Sequence, residues 1–299
     1  MPDYYLNTFG LETPGEQPIR VFYPIVKIEF EEIKKLLLGQ YSNNSLNNLK
    51  LSFLTENIKV LGPCVSVREI QLHDSFLSFL WCYCYGLTIT LPMGGKEFNE
   101  LETDKARNLF RYANDIMFKK YRNWPSELPN PENTETHYKD YVAATNGVFR
   151  IALLVVLFHE FAHVVLRHLE YINPTIDKRR QMEYEADTFA INEILKIVDV
   201  SELTRNIGII SAISSLSFGQ DKFDNSSFHP EPEDRLTKCL EHLNYPANNF
   251  IWGSASWVFL EWQIYFGLFS KNIDSSSFKN TYYGLINELK EFKSTNSNK

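Results

Sequence analysis

Apolar positions recur along this chain at different periods, and the changes of period divide it into regions. Between about residues 17 and 70, short β-branched runs ("IRVFYPIVKIEF", "NIKVLG", "CVSVREIQL") stand between polar turns such as "SNNSLNN". This predicts short strands, with a helix at "EEIKKLLLGQY". Asp74 or Ser75 is placed to cap a helix over "FLSFLWCYCY", which Gly86 closes. "LTITLP" at 87–92 alternates as an edge strand does and stops at Pro92. An extended peptide could pair along such an edge. Over 104–121 the apolar residues Leu109, Phe110, Tyr112, Ala113, Ile116 and Met117 make a helical stripe.

The proline-rich stretch "NWPSELPNPENTET" at 123–136 interrupts these patterns. Beyond it a long apolar helix is expected from about Thr145 to Tyr171, ending ahead of Asn173-Pro174, because a residue before proline resists the helical region. Further helices are expected over about 181–198 and 203–218. The predicted organisation is a mixed α/β part over 1–122, a connector over 123–136, a core over 137–245, and a helical C-terminal part over 246–299 with a frayed end. The fold class is therefore α+β and mostly helical.

Composition narrows the function. Of 299 residues, 44% are hydrophobic, as in a globular chain. A formal net charge of −7 and the lack of a basic block argue against a nucleic-acid surface. Four cysteines (Cys64, Cys82, Cys84, Cys239) form no CxxC pair, which suits free thiols in a reducing compartment. No basic region followed by an apolar run opens the sequence, so the cytosol is the expected location. The apolar run at 250–269 includes Glu261 and Gln263 and reads as a core helix, with peripheral membrane association as the alternative.

Within this frame one segment is chemically out of place. "FHEFAHVVLRH" at 158–168 carries His159, Glu160 and His163 on a helix that is otherwise apolar. Buried titratable groups are costly without partners. His159 and His163 are i and i+4, so both imidazoles lie on one helix face and can reach one zinc ion, while Glu160 is placed to act on a water rather than on the ion. Metal-activated water beside a carboxylate base is the machinery of peptide hydrolysis.

The third ligand decides the type. An extended HExxHxxGxxH pattern would need glycine at Leu166 and histidine at Leu169, so it is absent. His168 reads as a solvated histidine at a helix end. In "MEYEADTFA", Glu183 and Asp187 share a face, with the small Ala186 and Ala190 beside them, whereas Glu185 points roughly 200° away, toward solvent. Glu183 is thus the expected third ligand, and Asp187 the acceptor for the free N–H of a liganding histidine. In "HPEPEDR" at 229–235, His229 could stabilise an oxyanion, and Arg235 could brace Glu183 and Asp187.

The order HExxH, ExxAD, HPxxxxR resembles that of the gluzincin group that includes HtpX and the CAAX-prenyl endopeptidases. A closer resemblance is to the Lit family of phage-exclusion peptidases, carried by "HEFAHVVLRH", "HDSFLSFLW" at 73–81, "RNLFRYANDIMFKKYRNWPSELPNPE" at 107–132, "EYEAD" at 183–187 and "HPEPEDR". The resemblance implies a zincin-like metallopeptidase core in which His159, His163 and Glu183 hold zinc and Glu160 is the catalytic carboxylate. It also implies anti-phage defence, with a phage-derived activator and host elongation factor Tu as the cleaved protein. Two other readings are a zinc-stabilised binding protein without activity, and a membrane-linked peptidase of the HtpX or CAAX-prenyl type.

Overall fold

The computed structural model describes residues 18–55, 62–89, 100–118, 123–133, 139–197, 199–218, 230–268 and 276–296. The chain is mostly helical with one small sheet, an α+β arrangement. A 3-10 turn at Pro18–Phe22 leads into α1 (Tyr23–Gln40), and a short α2 (Asn44–Asn47) precedes β1 (Lys50–Leu54), β2 (Cys64–Val65) and β3 (Glu69–His73). β3 lies between parallel β1 and antiparallel β2, with Lys50 paired to Glu69 and Cys64 to Gln71.

Helices α3 (Asp74–Ile89), α4 (Glu100–Phe118), α5 (Lys139–Val165), α6 (Ile176–Leu195), α7 (Glu202–Phe218), α8 (Pro232–Leu243), α9 (Phe250–Tyr265) and α10 (Phe278–Asn296) follow. At its centre is α5, against which α3, α6 and α7 all pack. From Ile151 to Ala162 every residue of α5 is buried. Each large apolar side chain so enclosed contributes roughly 2 kcal/mol, and this fixes the helix before any polar contact is made. α7 approaches closely at Gly208, where an added Cβ would meet Cγ2 of Ile151 at 2.6 Å. The Ala186 and Ala190 side chains of α6 are fully buried, as the close approach of that helix requires. Among the described residues one helix, Asp140–Val165, is long and apolar enough to cross a membrane, and most of it is enclosed by the rest of the protein.

Several sequence expectations give way here. "IRVFYPIVKIEF" is helical, not strand, because Val26, Phe30, Ile33 and Leu37 form one buried stripe at helical spacing that outweighs β-branched propensity. "CVSVREIQL" does supply β2 and β3, whereas most of "NIKVLG" lies outside the described residues. Gly86 does not end its helix; it sits inside α3, where Phe110 of α4 packs so tightly that a Cβ would fall 2.2 Å from its ring. The start of "LTITLP" is helical to Ile89, and its remainder lies outside the described residues. In the proline-rich stretch, the described 123–133 has no regular structure, but Trp124 is buried, stacks edge-on against Trp81 and donates to the Pro129 carbonyl.

α5 stops at Val165, earlier than the predicted Tyr171, because Arg167 turns left-handed at φ 58° and the chain tightens into a 3-10 turn at His168–Glu170. Asn173 is left-handed too, and Thr175 then caps α6, accepting from the Lys178 amide at 3.2 Å. α6 thus begins at Ile176, about a turn ahead of the expected start. The run near 250–269 forms α9, which buries Trp252, Phe259 and Trp262.

Candidate active site

The reversal between α5 and α6 brings "HEFAH" opposite "EYEAD". Nε2 of His159 and Nε2 of His163 lie 3.2 Å apart. Glu183 places Oε2 3.5 Å from His159 Nε2 and Oε1 3.6 Å from His163 Nε2. Donors bonded to one tetrahedral zinc at about 2.0–2.1 Å stand roughly 3.3 Å from one another, so these spacings fit a single ion. Among the described residues the group holds three such donors. A structural zinc site usually has four, whereas a catalytic one has three and an open position.

Behind His159 is a buried ion pair. Its Nδ1 lies 2.9 Å from Oδ1 of Asp187. Arg235 grips Asp187 with both fork nitrogens, Nε to Oδ2 and Nη2 to Oδ1, each at 2.7 Å. The Arg235 Nη1 donates to the Leu216 carbonyl at 3.1 Å, and Nη2 lies 3.5 Å from Glu183 Oε2. One guanidinium therefore ties α8, α6 and α7 together. The capless start of α8 is set by Pro232 in its first turn, and Asn244 ends it in a left-handed cap.

Burial would raise the Asp187 carboxyl, but the Arg235 charge wins and holds it below the usual carboxylate range. On His159 burial opposes the charged form, yet the bonds to Asp187 and Glu183 prevail and push it up to about 10. Burial, and then the charge on His159, take His163 down to about 3. In the metal-free protein the extra, charging proton therefore sits on His159 and not on His163.

His168 is not a solvated helix-end residue. It is 6% exposed, because the left-handed Arg167 folds it back over α5. Its Nδ1 lies 3.0 Å from Nδ1 of His163, and its Nε2 3.0 Å from Oε2 of Glu185. Glu185 is thus turned partly inward, its side chain 40% exposed. Straight-helix geometry missed this contact because the partner comes from the turn after α5 and not from α5 itself. A histidine five residues beyond His163, just before a proline-stopped reversal, is the signal that was available.

Glu160 is 4% exposed, one step along α5 from His159. Cys64 of β2 lies within its electrostatic reach: burial first, then the Glu160 charge, raise the thiol. β2 is an edge strand of the described sheet and contacts α5. His229 lies outside the described residues; the neighbouring Pro230 is buried.

The sequence profile of the family described as Peptidase U49 matches residues 70–255, more than half of the chain. That span contains α5, α6 and Arg235. No curated protein and no solved structure matches the chain.

Proposed function

This chain belongs to the peptidase U49 family, and from that premise we propose that its peptidase activity is zinc-dependent and endoproteolytic, exercised by a gluzincin-type centre in a zincin-like core. The observation that carries this reading is the convergence of His159, His163 and Glu183 at tetrahedral spacing, with the acidic Glu160 beside them.

Zinc held by those three residues would supply a Lewis acid that polarises the scissile carbonyl and brings the pKa of water near 7. Glu160 takes the proton of the attacking water and delivers it to the leaving amine. Asp187, locked by Arg235, accepts from Nδ1 of His159 and so keeps Nε2 of that ring turned into the donor cluster. His229 is assigned the developing oxyanion. An extended substrate would pair along β2, an edge strand among the described residues whose Cys64 lies within the electrostatic reach of Glu160.

The biological setting follows the resemblance to the Lit family: a bacterial cytoplasmic enzyme, switched on by a phage-derived activator, that cuts a host protein, with elongation factor Tu as the first candidate. The test is to incubate the zinc-loaded protein with bacterial lysate, with and without phage lysate, and to map new protein N-termini by mass spectrometry. One dominant cut, abolished by a chelator and by Glu160→Gln while that variant still binds zinc, is the expected result. A cut that survives Glu160→Gln would remove the role given to Glu160, and one that survives chelation would remove zinc from the reaction.

A further inference from the structure

The two rings of the donor cluster differ in what stands behind them. An imidazole that offers Nε2 to an ion carries its proton on Nδ1. His159 directs that proton at the Asp187 carboxylate. Among the described residues the partner at Nδ1 of His163 is not a carboxylate but the Nδ1 of His168, at 3.0 Å. Two facing ring nitrogens bond only if one is protonated and the other bare. With His163 as donor, His168 accepts at Nδ1 and must hold its own proton on Nε2. There it faces Oε2 of Glu185 at 3.0 Å, an acceptor only, and the other oxygen of Glu185 accepts from Gln181 Nε2 at 2.7 Å. A single set of tautomers therefore satisfies every bond from Gln181 to His163.

We propose that His168 and Glu185 form a relay that orients His163 for the metal, making them positioning residues of the site alongside Asp187 and Arg235. The inference rests on the zinc reading. It concerns residues that touch neither substrate nor metal: His168 reaches the ion only through the ring of His163.

The test compares the full chain with His168→Phe, His168→Asn and Glu185→Ala. Phenylalanine keeps a ring in the pocket and removes the acceptor, whereas asparagine can present its amide oxygen to His163 Nδ1. Three readouts are taken: zinc affinity by competition with a chromophoric chelator, the absorption spectrum of the cobalt-substituted protein, and thermal melting of the metal-free protein. Partners behind a liganding histidine are worth about 10–100-fold in metal affinity. His168→Phe should lose that much and shift the cobalt bands, while His168→Asn stays within a few-fold of the parent. Glu185→Ala, at a half-exposed position, should weaken zinc with little change in melting, and it carries the test if His168→Phe does not fold.

A parent chain that binds one zinc, together with folded His168→Phe or Glu185→Ala protein of unchanged affinity and spectrum, would overturn the relay and leave the zinc reading standing. Equal affinity losses in His168→Phe and His168→Asn, matched by equal losses in melting temperature, would also overturn it, reducing His168 to a packing residue. A parent chain that binds no zinc would overturn both.

Discussion

His159 and His163 lie one turn apart on one face of α5, yet the protein supports them in opposite ways. Behind His159 stand Asp187 and Arg235, both buried and joined by a two-pronged ion pair between α6 and α8, with Arg235 also donating to the Leu216 carbonyl of α7. Behind His163 stand a second imidazole and a carboxylate that is 40% exposed. The first arrangement is held by desolvated charge, which is strong only while all its members are present. The second is a chain of single hydrogen bonds reaching the surface. The difference teaches that one histidine is fixed as part of the fold, and the other is fixed for the site.

Stability should separate the two most sharply. Arg235→Ala strips the buried Asp187 of the guanidinium that grips it through two nitrogens and leaves it to His159 alone, which costs about 3–5 kcal/mol. Glu185→Ala removes a half-exposed acceptor and should cost under about 1 kcal/mol. Urea unfolding of the metal-free proteins measures both. Equal losses in the two variants would mean that the arms do not differ in kind. In that case the guanidinium would not be a clasp between α6, α7 and α8.

A packing change at the opposite end of the buried run should affect both arms alike. At Gly208 of α7, a Cβ would stand 2.7 Å from Cβ of Ile151 and 3.2 Å from the Ala152 amide. No rotamer of Ile151 moves its Cβ, so the helices must part. Gly208→Ala should cost about 1–3 kcal/mol and should weaken zinc through a shift of α5 that carries both histidines. Calorimetry paired with zinc titration tests this. An alanine that lowers the melting temperature and leaves zinc affinity intact would show that the apolar half of α5 and its polar end are positioned separately.

How far these arms could be read in advance depended on how local their determinants are. His159, His163, Glu183 and Asp187 share helical faces at i and i+4, and the structure places them in one cluster with Arg235. Spacing suffices for the two helical pairs, since they need only straight helices and a reversal, which Asn173-Pro174 announces; Arg235 comes from α8 and is indicated only by the order of the motifs. The relay could not be read this way. It depends on a left-handed Arg167, a residue with no special licence for positive φ. Without that turn, His168 would continue round α5 toward water and Glu185 would face solvent. The N-terminal region failed for a different reason. In "IRVFYPIVKIEF" the β-branched residues satisfy both a strand pattern and a helical stripe, and only the burial of Phe30 and Leu37 against the rest of the core decides between them. The mostly helical α+β class survived because the long apolar stripes elsewhere admit one period.

The smallest effect tests whether the relay is the softer arm. Thr175 caps α6 by accepting from the Lys178 amide at 3.2 Å, and Glu185 sits nearer to that end of the helix than Asp187 does. Thr175→Ala should cost about 1 kcal/mol, the usual worth of an N-cap, and Thr175→Ser should restore it. Because Asp187 is gripped from α8 by Arg235, fraying from this end should stop before it reaches the ion pair. Hydrogen exchange should therefore show amides at 178–181 losing protection in Thr175→Ala while those following Asp187 keep theirs. Loss of protection along the whole of α6 would show that the cap, and not the Arg235 clasp, determines where Asp187 is held. The two histidines would then depend on one shared support.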